Sequence, residues 1–280
     1  MRTEREIIKK VTLPCVAMRG TVAFPKISMN LEIGRPASKK ACDMALGADG
    51  LVILVCQRDS SVEEPAKGDI YTVGVTAKIK QLVKTEDGVY RTLMEPVART
   101  EITDFYRVGK YAIAEGLEKT AEYTGVYEED QAVLREIRKT VAEISSLLPM
   151  FSDDVYAQVN RTKDISLLCD FLAANIIADI EKRQELLEIF NPEQRAVALL
   201  TELEEEKLIM LTEKKINRKV HERMDKNQRD YFLREQIKAI RSELGEDDEF
   251  DDEELSGYHE KIMRAAMPEE MREKLLRELR

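Results

Sequence analysis

The chain has no tryptophan, and only two of its 280 residues are histidine. His221 and His259 stand without a partner at metal-ligand spacing, so no zinc site is expected. The four cysteines, Cys15, Cys42, Cys56 and Cys169, are scattered, with no CxxC pair. Thiols spaced this way read as reduced side chains of a cytoplasmic protein, not as a disulfide framework. None of the 12 glycines falls in the GxxxxGK[ST] pattern, so the stretch holds no P-loop for a nucleotide. Long hydrophobic runs are absent too. The purest, Leu51 to Cys56, is far too short to span a bilayer. The opening Met1-Arg2-Thr3-Glu4-Arg5-Glu6 leads into no apolar core, so no signal peptide is expected.

What is present is a globular composition, 43% hydrophobic and 35% charged, with length for about two domains. The net charge of −10 is concentrated rather than spread. Glu246 to Glu254 is acidic at every position but Phe250, which reads as a self-repelling, disordered linker over 246–256. An acidic total disfavours a general polyanion binder. Lys214-Lys215-Ile216-Asn217-Arg218-Lys219 is basic, but acids lie close by and no aromatic is interleaved. It reads as a solvated helix face, and nucleic acid is not expected as a partner.

Residues 1–120 read as β structure. Val11 to Met18 is strand-like, with Pro14 marking an edge, and Thr21 to Phe24 resumes after the Arg19-Gly20 turn. Met29 to Ile33 alternates apolar and polar, as a half-buried strand does. Ser38 to Leu46 reads as a short helix with Ser38 as its cap. Leu51 to Cys56 suits a strand buried on both faces. Val73 to Val83 and Val89 to Leu93 flank Asp87-Gly88, a hairpin signal, and Val97 to Thr103 and Tyr111 to Leu117 add further strands. Short strands joined by close turns point to a small, mostly antiparallel barrel.

The period then changes. Val133, Leu134, Ile137, Val141, Ile144 and Leu148 are three and four apart, one face of a helix ended by Pro149. Ser152 to Asp154 can cap a second helix, and Thr162 or Asp164 a third, with Ile176 to Phe190 as the fourth. These make a helical bundle over 121–195. Next comes a long stretch, 196–245. Asn191-Pro192-Glu193-Gln194 forms a capping box, and no glycine or proline follows until Gly245. One unbroken helix here would run roughly 70 Å. Leu199, Leu200, Leu203, Leu208 and Ile209 are placed to pack on the bundle, while Leu233, Ile237, Ile240 and Leu244 form a narrow coiled-coil-like seam. Between them the stretch is polar all round, as a strut would be. Residues 257–280 begin a further helical region. The fold class is therefore α+β.

Several stretches together resemble the N-terminal region of Lon, the ATP-dependent protease of bacteria and mitochondria. Leu13-Pro14 with Arg19-Gly20-Thr21-Val22-Ala23-Phe24-Pro25 is similar to the family's opening element. Gly68-Asp69 through Val73 to Ile79, followed by Asp87-Gly88, is a second. The most specific is Lys215-Ile216-Asn217-Arg218-Lys219-Val220 running on to Asn227-Gln228-Arg229-Asp230-Tyr231-Phe232-Leu233-Arg234-Glu235-Gln236-Ile237. The resemblance implies a PUA-like barrel, a helical bundle and a long helix leading toward an AAA+ ring. It implies a role in selecting unfolded or degron-bearing polypeptides and in holding a hexamer together. The family's ATP, magnesium and serine–lysine chemistry belong to domains expected beyond Arg280. No catalytic residue, cofactor or metal is therefore assigned within this chain.

A module that senses unfolded chains needs exposed apolar surface. Met18, Phe24, Pro25 and Ile27 are the candidates for such a patch, with Met18, Pro25 and Ile27 expected at the surface and barrel core as the competing fate of Val22 and Phe24. Tyr231, Phe232, Leu233 and Ile237 interrupt the polar strut. They read equally as a contact with a neighbouring subunit or substrate, or as a seam packed within one chain. The rival to recognition is a coiled-coil scaffold that binds no polypeptide.

Overall fold

A computed structural model describes residues 3–124, 128–147, 153–243, 252–265 and 267–278. The chain forms two compact units, Met1–Glu213 and Lys214–Arg280. The first holds β1 (Thr3–Met18), β2 (Met29–Ile33), α1 (Pro36–Leu46), β3 (Leu51–Cys56), β4 (Val73–Lys84), β5 (Tyr90–Val108) and β6 (Tyr111–Thr124). It continues through α2 (Glu128–Leu147), α3 (Asp153–Arg161), α4 (Ile165–Asn175) and α5 (Ile180–Glu188) into the start of α6 (Pro192–Glu243). The rest of α6, with α7 (Asp252–Arg264) and α8 (Glu269–Glu278), belongs to the second unit.

Six strands form one sheet in the order β2-β5-β4-β3-β1-β6, with a further pairing of β5 to β6. Only β1 and β3 pair in parallel; the other five pairings are antiparallel. Two expected strands, Val89 to Leu93 and Val97 to Thr103, are one strand, β5. It runs through Pro96, which faces Ala77 where the register shifts between Thr76 and Ala77. A bulge there accommodates a residue with no N–H to give the ladder. Gly74 lies where a Cβ would collide with the Leu54 carbonyl oxygen, so β3 and β4 approach closely there. Gly88, at φ +74, makes the hairpin turn between β4 and β5.

Several boundaries differ from expectation. Thr21 to Phe24 is not a strand. It is bounded by left-handed residues, Gly20 at φ +65 and Lys26 at φ +63, and runs as buried coil. Helix α1 starts two residues before Ser38, with Arg35 at the cap position and Pro36 supplying its preset φ in the first turn. Pro14 pairs with Ile113 of β6, and the ladder to β3 begins only at Cys15. The expected helix from Ile176 begins at Ile180. The Asp179 carboxylate accepts from the N–H groups of Glu181 and Lys182 and starts α5 there. Asp164, rather than Thr162, caps α4 in the same way. Helix α7 opens at Asp252, inside the stretch expected as an acidic linker. Residues 246–251 of that stretch, with Leu244 and Gly245, lie outside the described residues, as do Leu148, Pro149 and Ser152.

One apolar core runs through sheet and helices. Phe24, Val52, Leu54 and Val75 join Ile137, Val141, Leu168, Leu172, Leu199 and Leu203 in a single cluster. Along α6 the apolar contact narrows: Leu203 is fully buried and Met210 is half-buried against the core, whereas Leu208 and Ile209, expected to pack, are 65% and 52% exposed. Polar links close the bundle onto α6. Thr140 donates to Glu204 at 2.8 Å, Lys207 meets Glu143 at 3.0 Å, and Lys182 lies between Glu202 and Glu205. The Glu206 carboxylate accepts from the Ala178 N–H ahead of α5. No helix among the described residues is long and apolar enough to cross a membrane.

Candidate functional site

Two charged residues from different layers meet at one buried carboxylate. Arg99 of β5 donates through both terminal nitrogens to Asp170 of α4, at 2.9 and 2.5 Å. Arg195, in the first turn of α6, brings its Nε within 3.2 Å of the same carboxylate. All three are at least 94% buried. The remaining recorded donors reach neutral acceptors: Arg99 to the Leu187 carbonyl, and Arg195 to the carbonyls of Ile189 and Phe190 and to Ser166 Oγ. The cluster therefore ties the sheet to three helices at once. Burial pushes the adjacent Cys169 thiol up to about 12, and the Arg195 charge offsets only part of that rise. All four cysteines are free and buried.

A pocket of about 250 Å³ opens over this cluster. Pro25 and Lys26 from the coil, Val97 from β5 and Lys119 from β6 face Leu167, Phe190 and Pro192 from the helical side. Lys119 lies 2.6 Å from Glu101, and its ammonium is 4.9 Å from the Phe190 ring centre. Lys26 is 3.6 Å from Asp164. Its left-handed backbone is held by a bond from its N–H to the Pro96 carbonyl at 2.8 Å. Such a conformation costs a non-glycine residue on the order of 1 kcal/mol, and strain of this kind gathers at functional positions.

A second, larger cleft of about 800 Å³ lies beside the sheet. Val16 to Met18 of β1, Leu31 to Ile33 of β2 and the start of α1 line it, with Arg107 from the end of β5 and Gly109 and Lys110 from the turn into β6. Arg35 organises this cleft by donating to the Ala17 carbonyl, to Gln57 Oε1 at 2.7 Å and to the Glu63 carbonyl. Burial, and then the nearby Arg19 charge, lower the pKa of Arg35. Across the cleft, the bond from Arg107 at 2.5 Å holds Glu64 below the usual carboxylate range. Strand β2 pairs only with β5, so its other edge has no ladder partner among the described residues.

The expected apolar patch does not form as a surface. Met18 and Phe24 are 5% and 1% exposed, Pro25 is buried, and Ile27 is half-buried against the core. The segment is apolar because it fills the space between sheet and bundle. Its residues are nonetheless divided between the two openings, Pro25 in the smaller and Met18 in the larger. Tyr231, Phe232, Leu233 and Ile237 are 67%, 61%, 50% and 53% exposed, so the described residues of their own chain do not bury them. Lys214 to Lys219 are likewise exposed. Arg99, Asp170 and Arg195 were not singled out by sequence. The available signal was Asp170 itself, one acid inside the apolar run Leu167 to Leu172.

The fold and these openings describe a mixed α+β domain with two clefts and no cluster of three or more metal-ligating side chains among the described residues. Its architecture is similar to the solved N-terminal domain of a Lon protease from the Mycobacterium avium complex. The two agree at a TM-score of 0.57 and 18% identity over 69% of this chain and 98% of that one, a likeness of fold. The model of the ATP-dependent protease La (LON) substrate-binding domain matches residues 12–205, and the chain belongs to that family. A Lon protease of Bacillus thuringiensis is 30% identical over 279 residues, covering all of this chain and 34% of that protein. Lon protease 2 of Thermus thermophilus is 33% identical over 269 residues, covering 96% and 33%. The chain thus spans about a third of the length of these relatives.

Proposed function

We propose that the chain is the non-catalytic substrate-recognition part of a Lon-type, ATP-dependent serine protease acting in the cytoplasm. The observation that carries this reading is the family's substrate-binding domain over residues 12–205. That span ends two residues after Leu203, the last fully buried residue recorded in α6. Its substrates would be unfolded or degron-bearing polypeptides. The larger cleft supports this, because it joins apolar Met18, Leu31 and Ile33 to an unpaired strand edge. Both features suit chains that share little sequence. The closed circuit of pairings β5–β4–β3–β1–β6–β5 supports a PUA-like barrel over about 1–120, with the bundle over 121–195 and α6 as a strut. ATP and magnesium would act elsewhere in such a protease.

Assembly is the second part of the proposal. The exposed Tyr231, Phe232, Leu233 and Ile237 favour a contact between copies, in a hexamer or as a coiled-coil seam. Fluorescence anisotropy with a labelled, carboxymethylated α-lactalbumin tests recognition. Saturable micromolar binding of the unfolded chain is expected, with none for the native protein. Ile237→Asp should keep that binding while abolishing any concentration-dependent rise in mass. Absence of binding, with a stable oligomer that Ile237→Asp dissolves, would leave the scaffold reading instead.

A further inference from the structure

The small pocket over the buried cluster carries more positive than negative charge. Four cations line it, Lys26, Arg99, Lys119 and Arg195, against one carboxylate, Asp170. Asp164 and Glu101 lie beside the two lysines, at 3.6 and 2.6 Å. Lys26 is exposed and so is Asp164, and an ion pair of that kind is weak and readily exchanged. Arg99 and Arg195 cannot turn away, because carbonyl groups and Asp170 fix both guanidinium planes. The floor is thus rigid and cationic, the mouth carries the two ammonium groups of Lys26 and Lys119, and Val97, Leu167 and Phe190 supply an apolar wall. Lys26 lines the pocket from a left-handed backbone, φ +63.

We propose that this pocket binds a carboxylate attached to an apolar group. Given the substrate-recognition reading, on which this inference rests, the carboxylate belongs to a polypeptide, either at its C-terminus or on an Asp or Glu side chain. The volume, about 250 Å³, is small for a ligand pocket and admits one residue rather than a folded segment. A charge-assisted bond to a fixed guanidinium or to lysine gives the affinity, and the apolar wall selects the neighbour.

NMR titrations of the whole chain with three probes test this. N-acetyl-leucine presents a terminal carboxylate, N-acetyl-glutamic acid α-amide a side-chain carboxylate, and N-acetyl-leucinamide neither. At least one acid is expected to saturate, with shifts confined to residues around Lys26, Lys119 and Leu167, and the neutral amide to bind about tenfold more weakly or worse. Whichever acid binds identifies the source of the carboxylate. Lys26→Gly with Lys119→Ala, which removes both rim charges and relaxes the backbone at residue 26, should weaken the acid at least about tenfold. Lys119→Arg should retain it. The inference is overturned if neither acid saturates, if the amide binds as well, or if the double variant binds unchanged. Loss of acid binding while unfolded α-lactalbumin still binds would remove this pocket and leave the recognition reading standing.

Discussion

Asp170→Ala is expected to destabilise the first unit by about 3–5 kcal/mol, the cost of breaking a buried charge cluster by removing one partner. In the native chain Asp170 is the carboxylate recorded against both Arg99 and Arg195, at 2% exposure. Without it Arg99 and Arg195 both lose the carboxylate they share in a buried site, and the charge contacts of β5 and α6 with Asp170 of α4 are lost together. The effect should appear in urea unfolding as a midpoint lower by at least about 1 M, with little change in slope. Asp170→Asn keeps the shape and some hydrogen bonding but not the charge, so its loss should be smaller. A change below about 1 kcal/mol for Asp170→Ala would mean that the cluster does not tie sheet to helices.

Leu203→Ala is expected to cost about 2–5 kcal/mol, the range for emptying a fully buried leucine site. Leu203 has no exposed surface and belongs to the cluster that also contains Ile137, Val141 and Leu199. Leu208, five residues on, is 65% exposed, and Leu208→Ala should fall within about 0.5 kcal/mol of the parent. The pair of measurements separates the face of α6 that packs on the folded body from the face that does not. Equal losses at both sites would show that apolar packing continues along the helix, contrary to the burial recorded here. Equal and negligible losses would show that α6 does not seal the bundle.

Where side-chain period decides the structure, the sequence was a sufficient guide. Leu51 to Cys56 is the fully interior strand its unbroken apolar run implied, and Leu134, Ile137, Val141 and Ile144 line the buried face of α2. Asp87-Gly88 turns the hairpin, and Asp164 caps α4. Fates that depend on distant partners were not legible. Met18 and Pro25 look like part of an adhesive loop until the bundle that covers them is in place, whereas core was already the favoured fate of Phe24. Leu208 and Ile209 have the right spacing to pack, but it is Met210 beside them that meets the core. The run from Tyr231 to Ile237 was ambiguous for the same reason, and its exposure removes the reading of a seam buried within the described chain.

The site was the least legible part. Arginine–carboxylate clusters are built from residues 71 and 25 positions apart, and no local pattern announces them. An isolated acid in an apolar run, such as Asp170 between Cys169 and Phe171, is the residue to suspect, because burying it alone would be costly. Lys26 is unremarkable in sequence, and its left-handed backbone, bonded to the Pro96 carbonyl, is not announced by any local pattern.

The central claim is that the first unit grips polypeptides without acting on them. Hydrogen–deuterium exchange of the chain, with and without saturating unfolded α-lactalbumin, addresses it directly. Added protection is expected in β2 and the start of α1, and around Lys26 and Lys119, with the polypeptide recovered uncut. Protection confined to residues 214–280, or none within 12–205, would contradict the account.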